Sequence, residues 1–174
     1  MNSFFDAFKG SLIIKILIAI IMFLFSLITN AQVDKNTELY KTLKSKDSII
    51  FERAFNKCET EKLEPIIAEN FEFYHDVAGV QNKNEFVEAV KVNLCTNPGI
   101  FSRELDESTL EVFELKNNGK RYGAIQRGKH IFFITENNKI HKTGTALFTH
   151  IWILEKNIWK LKRVLSFNHK DATE

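Results

Sequence analysis

After Asn97-Pro98-Gly99 the hydrophobic period of the chain changes from helical to alternating, and four alternating runs follow at roughly 103–115, 121–135, 140–154 and 158–168. Asn117-Asn118-Gly119, Asn137-Asn138 and Lys156-Asn157 separate them. Such pairs favour the backbone of tight hairpin turns. Four consecutive runs joined in this way imply an antiparallel meander, with the helices N-terminal to it packed on one of its faces.

The N-terminal half supplies that layer. From Thr37 to Cys58 the residues Leu39, Tyr40, Leu43, Ile50, Phe51, Ala54, Phe55 and Cys58 recur mainly at three- and four-residue steps, the stripe of one long helix. Thr60 opens a second helix that Pro65 keeps short. Phe71 to Asp76 reads as an aromatic-rich strand, and Ala78-Gly79 as a turn. Asn82 with Glu85 makes a capping box for a third helix whose stripe is Phe86, Val90 and Leu94. The expected fold class is α+β, with three N-terminal helices packed on a strongly curved, mainly antiparallel sheet.

At 174 residues, 44% of them hydrophobic and 16 of them Phe, the chain suits a single core and excludes a disordered protein. The segment before that core has its own character. Lys9 and Lys15 flank an apolar stretch from Ile16 to Ile28 that ends at Thr29-Asn30-Ala31, the order of a secretory signal peptide. The expected organisation is a signal peptide over 1–31 and a single domain over 32–174, with cleavage near Ala31 and a periplasmic or secreted product. An anchor retained in the membrane is the alternative, because Leu12 to Ile14 extend the run across Lys15. Export permits Cys58 and Cys95 to pair, which would stabilise the fold by ~4 kcal/mol on the chain-entropy model, and two separate buried thiols are the other reading.

Strand parity picks the candidate site. In the last run Trp159, Leu161, Arg163, Leu165, Phe167 and His169 share a face, expected to point inward, with Lys160, Lys162, Ser166 and Asn168 on the reverse. The run before it groups Phe148, His150, Trp152 and Leu154, and the one before that groups Gln126, His130 and Phe132. A buried charge needs a partner. Of the neighbours His75 and Asp76, the carboxylate is chosen as the inward one, to meet Arg163 or a protonated histidine and to serve as a base. The candidate set is therefore Asp76 and His150 for proton transfer and Arg163, His169, His130, Gln126, Tyr74 and Trp152 for binding.

The order of helices, a strand ending Tyr74-His75-Asp76-Val77-Ala78-Gly79 and a four-run meander resembles the nuclear transport factor 2-like superfamily, in its SnoaL-like and ketosteroid-isomerase-like branches. The resemblance covers about residues 36–170. More narrowly, the runs Glu72 to Asp76, Gly123 to Gln126, Phe148 to Trp152 and Trp159 to His169 are similar to those of exported bacterial members. It implies a cone, a bent sheet wrapped around helices with a pocket at the wide end, and sheet-to-sheet dimers. In the isomerase branch a strand-end aspartate abstracts a proton while an acid and a helix tyrosine hold the enolate oxygen. Asp76 falls at the base's position and His150 near the acid's. The tyrosine has no counterpart, since its neighbourhood holds Phe51, Glu52 and Phe55, and an oxyanion stabiliser supplies ~3–4 kcal/mol.

Three functions fit these features: a pocket that binds an acidic or aromatic small molecule without chemistry, a proton-transfer enzyme (isomerase, lyase or hydrolase), and a homodimeric interaction module whose outer sheet carries Ile131, Phe133, Ile151 and Ile153. A formal charge of +2 without a basic stripe argues against nucleic acid as a partner. The histidines lack metal-signature spacing, so no metal or other cofactor is expected, and once cleaved the product has no stable membrane insertion. No phosphate loop or nucleophile elbow is present to suggest nucleotide-dependent or covalent hydrolase chemistry.

Overall fold

Thr37 starts the first helix because its hydroxyl accepts from the Tyr40 N–H at 3.3 Å, satisfying one of the open donors of the first turn. This computed structural model describes residues 32–172, so the expected signal or anchor segment lies outside the described residues. Helix α1 spans Glu38–Ser48 and continues with π-helical hydrogen bonding over Ile49–Asn56. Two 3₁₀ turns, Thr60–Lys62 and Glu64–Ile66, take the place of the short second helix, because Pro65 leaves no room for a longer run. Helix α2 spans Lys83–Ala89 behind the Asn82–Glu85 capping box and widens to π geometry over Val90–Leu94. Among the described residues no helix is long and apolar enough to cross a membrane.

Six strands form one curved mixed sheet in the order β2-β1-β6-β5-β4-β3. They are β1 Ile67–His75, β2 Gly79–Asn82, β3 Phe101–Asn117, β4 Lys120–Glu136, β5 Lys139–Glu155 and β6 Ile158–Asp171. The three long hairpins turn on residue pairs with positive φ: Asn118 and Gly119 at 49° and 74°, Asn137 and Asn138 at 50° and 60°, Lys156 and Asn157 at 49° and 65°. That backbone matches the twist of the strands it joins, which is why the Asn-rich pairs sit there. Beyond the expected meander, β1 lies parallel to β6 and carries β2 as an antiparallel edge strand.

Trp152, Phe71, Phe148, Leu43, Leu63, Ile67, Leu110 and Leu161 are the large apolar side chains fully buried between helices and sheet. Each contributes about 1.5–3 kcal/mol of burial. The sheet packs tightly there. A Cβ at Gly128 would come within 2.9 Å of the Phe148 ring. Cys58 and Cys95 are bonded, their Cα atoms 5.5 Å apart, and join the end of the first helix to the end of the second.

Two irregularities in β6 decide which side chains face the helices. Across from β5, Ile151 pairs with Arg163 but Trp152 pairs with Leu161, so Lys162 is an extra residue, a bulge that inverts the facing of everything after it. A second occurs between Phe167 and Lys170, where Asn168 takes a φ of 57°. Leu161, Val164 and Ser166 consequently face inward, Arg163, Leu165 and Phe167 face outward, and His169 returns to the inner side.

Candidate functional site

A cavity of about 460 Å³ lies between the sheet and the two helices. Ile50, Phe51 and Phe55 of the first helix and Phe86, Val90 and Leu94 of the second wall one side, and Phe73, Phe132, Phe148 and Val164 the other. Four imidazoles (His75, His130, His150 and His169) and the Ser166 hydroxyl are the principal polar groups that the sheet sends to it. The disulfide clamps the two helical walls together just beyond Phe55 and Leu94.

The floor rests on a buried polar network. Arg103 on β3 forms a two-point ion pair with Asp47 of α1, Nη1 to Oδ2 at 3.0 Å and Nη2 to Oδ1 at 3.2 Å. Its guanidinium lies 3.4 Å from the Phe51 ring centroid, and Nη2 donates to His130 Nε2. Gln126 donates to the Leu43 carbonyl at 3.3 Å, and its Oε1 accepts from Trp152 Nε1 at 2.8 Å. His150 Nδ1 stands 3.4 Å from the same Oε1 and 4.0 Å from Asp47 Oδ1. Both neighbours are acceptors, so Nδ1 carries the proton and Nε2 presents a lone pair. His150 is fully buried, and its Nε2 has no hydrogen-bond partner among the described residues.

Burial, and then the Arg103 charge, hold His130 and His150 well below the ordinary histidine value, so both are neutral imidazoles. Burial likewise pushes the Asp47 carboxyl up, against the pull of Arg103. The guanidinium remains charged regardless.

At the rim, His75 and His169 stack with ring centroids 4.3 Å apart. His75 Nδ1 accepts from the Val77 and Ala78 N–H groups, each at 3.1 Å, which leaves its proton on Nε2. Burial, and then the neighbouring His169, lower its pKa, with Asp76 opposing them. His169 Nδ1 lies 2.5 Å from Asp76 Oδ1, and its Nε2 lies 3.4 Å from Ser166 Oγ. Desolvation raises the Asp76 carboxyl, but hydrogen bonds from the His169 ring and backbone outweigh it and bring the group below the usual aspartate value. His75, Asp76 and His169 could hold a metal ion, since they offer ligand atoms within 4.8 Å of one another, although His75 Nδ1 already accepts from the backbone.

Several expectations need correction. Arg163 is not an anion anchor in the cavity: the Lys162 bulge turns it to the outer face, where it pairs with Glu72 at 2.8 Å and donates to the Asn70 carbonyl at 2.6 Å. Of the strand-end pair, His75 and not Asp76 lines the cavity, because it shares parity with Phe71 and Phe73. Asp76 sits behind, paired with His169 and apart from His150. Tyr74 is exposed and bonds to Glu72. Gln126 and Trp152 are inward but form the support beneath the cavity and do not line it. His130, His150 and His169 do line it. Asp47 and Arg103 lie outside the expected set, and Ser166, expected on the reverse face, is buried and lines the cavity. Asp47 interrupts the apolar stripe between Leu43 and Ile50, and Arg103 alternates with Phe101 and Leu105, so both carried a readable signal.

No protein-family model matches the chain, and no curated protein matches it in sequence. Solved structures do match in shape. A protein of unknown function with a cystatin-like fold from Nostoc punctiforme superposes with a TM-score of 0.58 at 14% identity, over 75% of this chain and 91% of that one. A nuclear transport factor 2-like superfamily protein from Salmonella enterica gives 0.54 at 12%, over 77% and 94%. The association domain of C. elegans CaMKII gives 0.58 at 9%, over 76% and 98%. At such identities the likeness shows the fold, which is nuclear transport factor 2-like.

Proposed function

We propose that the protein is an exported receptor for a small, apolar aromatic molecule that carries a hydroxyl or N–H donor. The observation that carries this reading is the lone pair of His150 Nε2, unpartnered at full burial in the wall of a largely apolar cavity of about 460 Å³. A buried acceptor without a donor costs about 1–3 kcal/mol, which a ligand O–H in that position recovers. The cavity is within the size range of small-molecule sites, and its stacked aromatic and imidazole rings suit a flat ligand. With Arg163 outside and Arg103 held by Asp47, an acidic group is not what this cavity selects.

The test compares 2-naphthol with naphthalene by fluorescence titration. Wild type should bind both and prefer the naphthol by about 3- to 10-fold, one net hydrogen bond. In His150→Phe the preference should vanish. Failure of both compounds to bind, or a preference that survives the substitution, would overturn the reading.

A second reading is supported by the outer sheet face, where Leu147, Leu165 and Phe167 are exposed beside half-buried Ile131, Phe133, Ile151 and Ile153. A second copy of the chain, packed sheet to sheet, would cover that strip, giving a homodimer with its cavities facing away.

A further inference from the structure

Ser166, His169 and Asp76 stand in sequence at the rim of the cavity: Ser166 Oγ to His169 Nε2 at 3.4 Å, His169 Nδ1 to Asp76 Oδ1 at 2.5 Å. The carboxylate also accepts the His169 backbone N–H at 3.3 Å, so Asp76 holds both the backbone and the ring of His169. With Nδ1–H committed to Asp76, Nε2 is left as the acceptor that faces the serine hydroxyl. Ser166 is buried and lines the cavity with His169, whereas Asp76 lies behind the ring. A hydroxyl, a base and a carboxylate that fixes the base are the parts of an activated nucleophile, recognised by geometry rather than by sequence motif, and the hydroxyl-to-base distance in a ligand-free site is often long. The motif is absent because this one is made by two bulges. Residues three apart on a regular strand face opposite ways, and the left-handed Asn168 is what brings Ser166 and His169 to the same side.

We propose that Ser166 is the nucleophile, His169 the general base and Asp76 the positioning residue of a hydrolase acting on carboxylic esters whose apolar aromatic portion occupies the cavity. The proposal rests on the receptor reading above for where the substrate sits. Ser166 Oγ attacks the ester carbonyl carbon as its proton passes to His169 Nε2, forming the Oγ–C bond and an oxyanion. His75 supplies the adjacent donor: it pairs with Ser166 across the parallel β1–β6 ladder, and its backbone partners at Nδ1 leave an N–H at Nε2. Collapse breaks the ester C–O bond, and His169 returns the proton to the leaving alkoxide, which departs as the alcohol. Water then adds to the acyl-Ser166 carbonyl with His169 again as base. The carboxylic acid leaves, and Ser166 regains its proton. The His169 side chain lines the cavity and is 24% exposed, so water reaches the base at the rim without crossing the apolar walls.

The experiment uses the full chain with 2-naphthyl acetate as substrate and an alkyl fluorophosphonate as covalent probe, alongside 2-naphthol binding. Wild type should release 2-naphthol and gain one phosphonyl adduct, mapped by mass spectrometry to Ser166. Ser166→Ala and His169→Gln should each lose hydrolysis by at least about 100-fold and lose the adduct, with thermal midpoints close to that of wild type. A wild type that binds 2-naphthol but neither hydrolyses the ester nor takes the label would overturn the relay alone. Hydrolysis undiminished in Ser166→Ala would do the same. Loss of 2-naphthol binding by wild type itself would instead remove the receptor reading on which the relay depends.

Discussion

His169 Nδ1 lies 2.5 Å from Asp76 Oδ1, a contact that fastens the end of β6 to the turn after β1 and depends on the backbone of the intervening Asn168, whose φ is 57°. Asn tolerates that conformation at little cost, whereas a β-branched residue does not. Asn168→Gly should leave stability within about 0.5 kcal/mol, because glycine adopts positive φ freely. Asn168→Val should cost roughly 1–2 kcal/mol in urea unfolding and separate His169 from Asp76. Equal stability of the two variants would show that the bulge is not fixed by this residue.

The neutral imidazoles make the fold acid-sensitive. His130 and His150 are held well below the ordinary histidine value of about 6.5 when folded, so the unfolded chain takes up protons first as pH falls. Stability is therefore full above that value and is lost below it, by up to about 1.4 kcal/mol per pH unit for each histidine, until the folded pKa values are reached. Asp47, raised by burial, takes its proton in the folded state first and offsets part of the loss at the acid end. Urea midpoints should change little between pH 7.5 and 6.5 and fall clearly between 6.5 and 5.5, and His150→Gln should shrink that second step.

Arg103 and Asp47 form a pair almost wholly out of water, their side chains 2% and 3% exposed. Removing one partner strands a buried charge. Arg103→Met alone should cost about 3–5 kcal/mol, whereas Arg103→Met with Asp47→Leu should recover much of that, since apolar replacement of a whole buried pair is often neutral. Chemical denaturation of the two variants decides it.

Sedimentation tests the outer face. Leu165 is 37% and Phe167 39% exposed on the same strand. Wild type should sediment as a dimer at micromolar concentration and Leu165→Glu as a monomer with an unchanged fold, whereas a monomeric wild type would remove the dimer.

The helix stripe, the capping box and the Asn-rich hairpins could be read from the sequence because each is local: Thr37, Asn82 and Asn118 act through backbone groups within a few residues of themselves. Regular parity also placed Gln126, His130, Phe148 and His150 inward, since β4 and β5 pair without a bulge across those positions. Parity failed on β6. A bulge at Lys162 depends on the register against β5 and leaves no mark in a Lys-Leu-Lys-Arg run, so Arg163 was sent to the wrong face. The parallel β1–β6 ladder and the Asp47–Arg103 pair depend on residues far apart in the chain, which periodicity alone does not connect.

If the cavity under the four imidazoles receives an aromatic guest, filling that cavity must exclude it. Ala89 lines the helical wall. Titrated with 2-naphthol, wild type should saturate at one molecule per chain, and Ala89→Trp should bind at least about 10-fold more weakly with its thermal midpoint retained, a difference of about 1.4 kcal/mol or more. Equal affinity in the two proteins would mean that this cavity is not where the aromatic molecule binds.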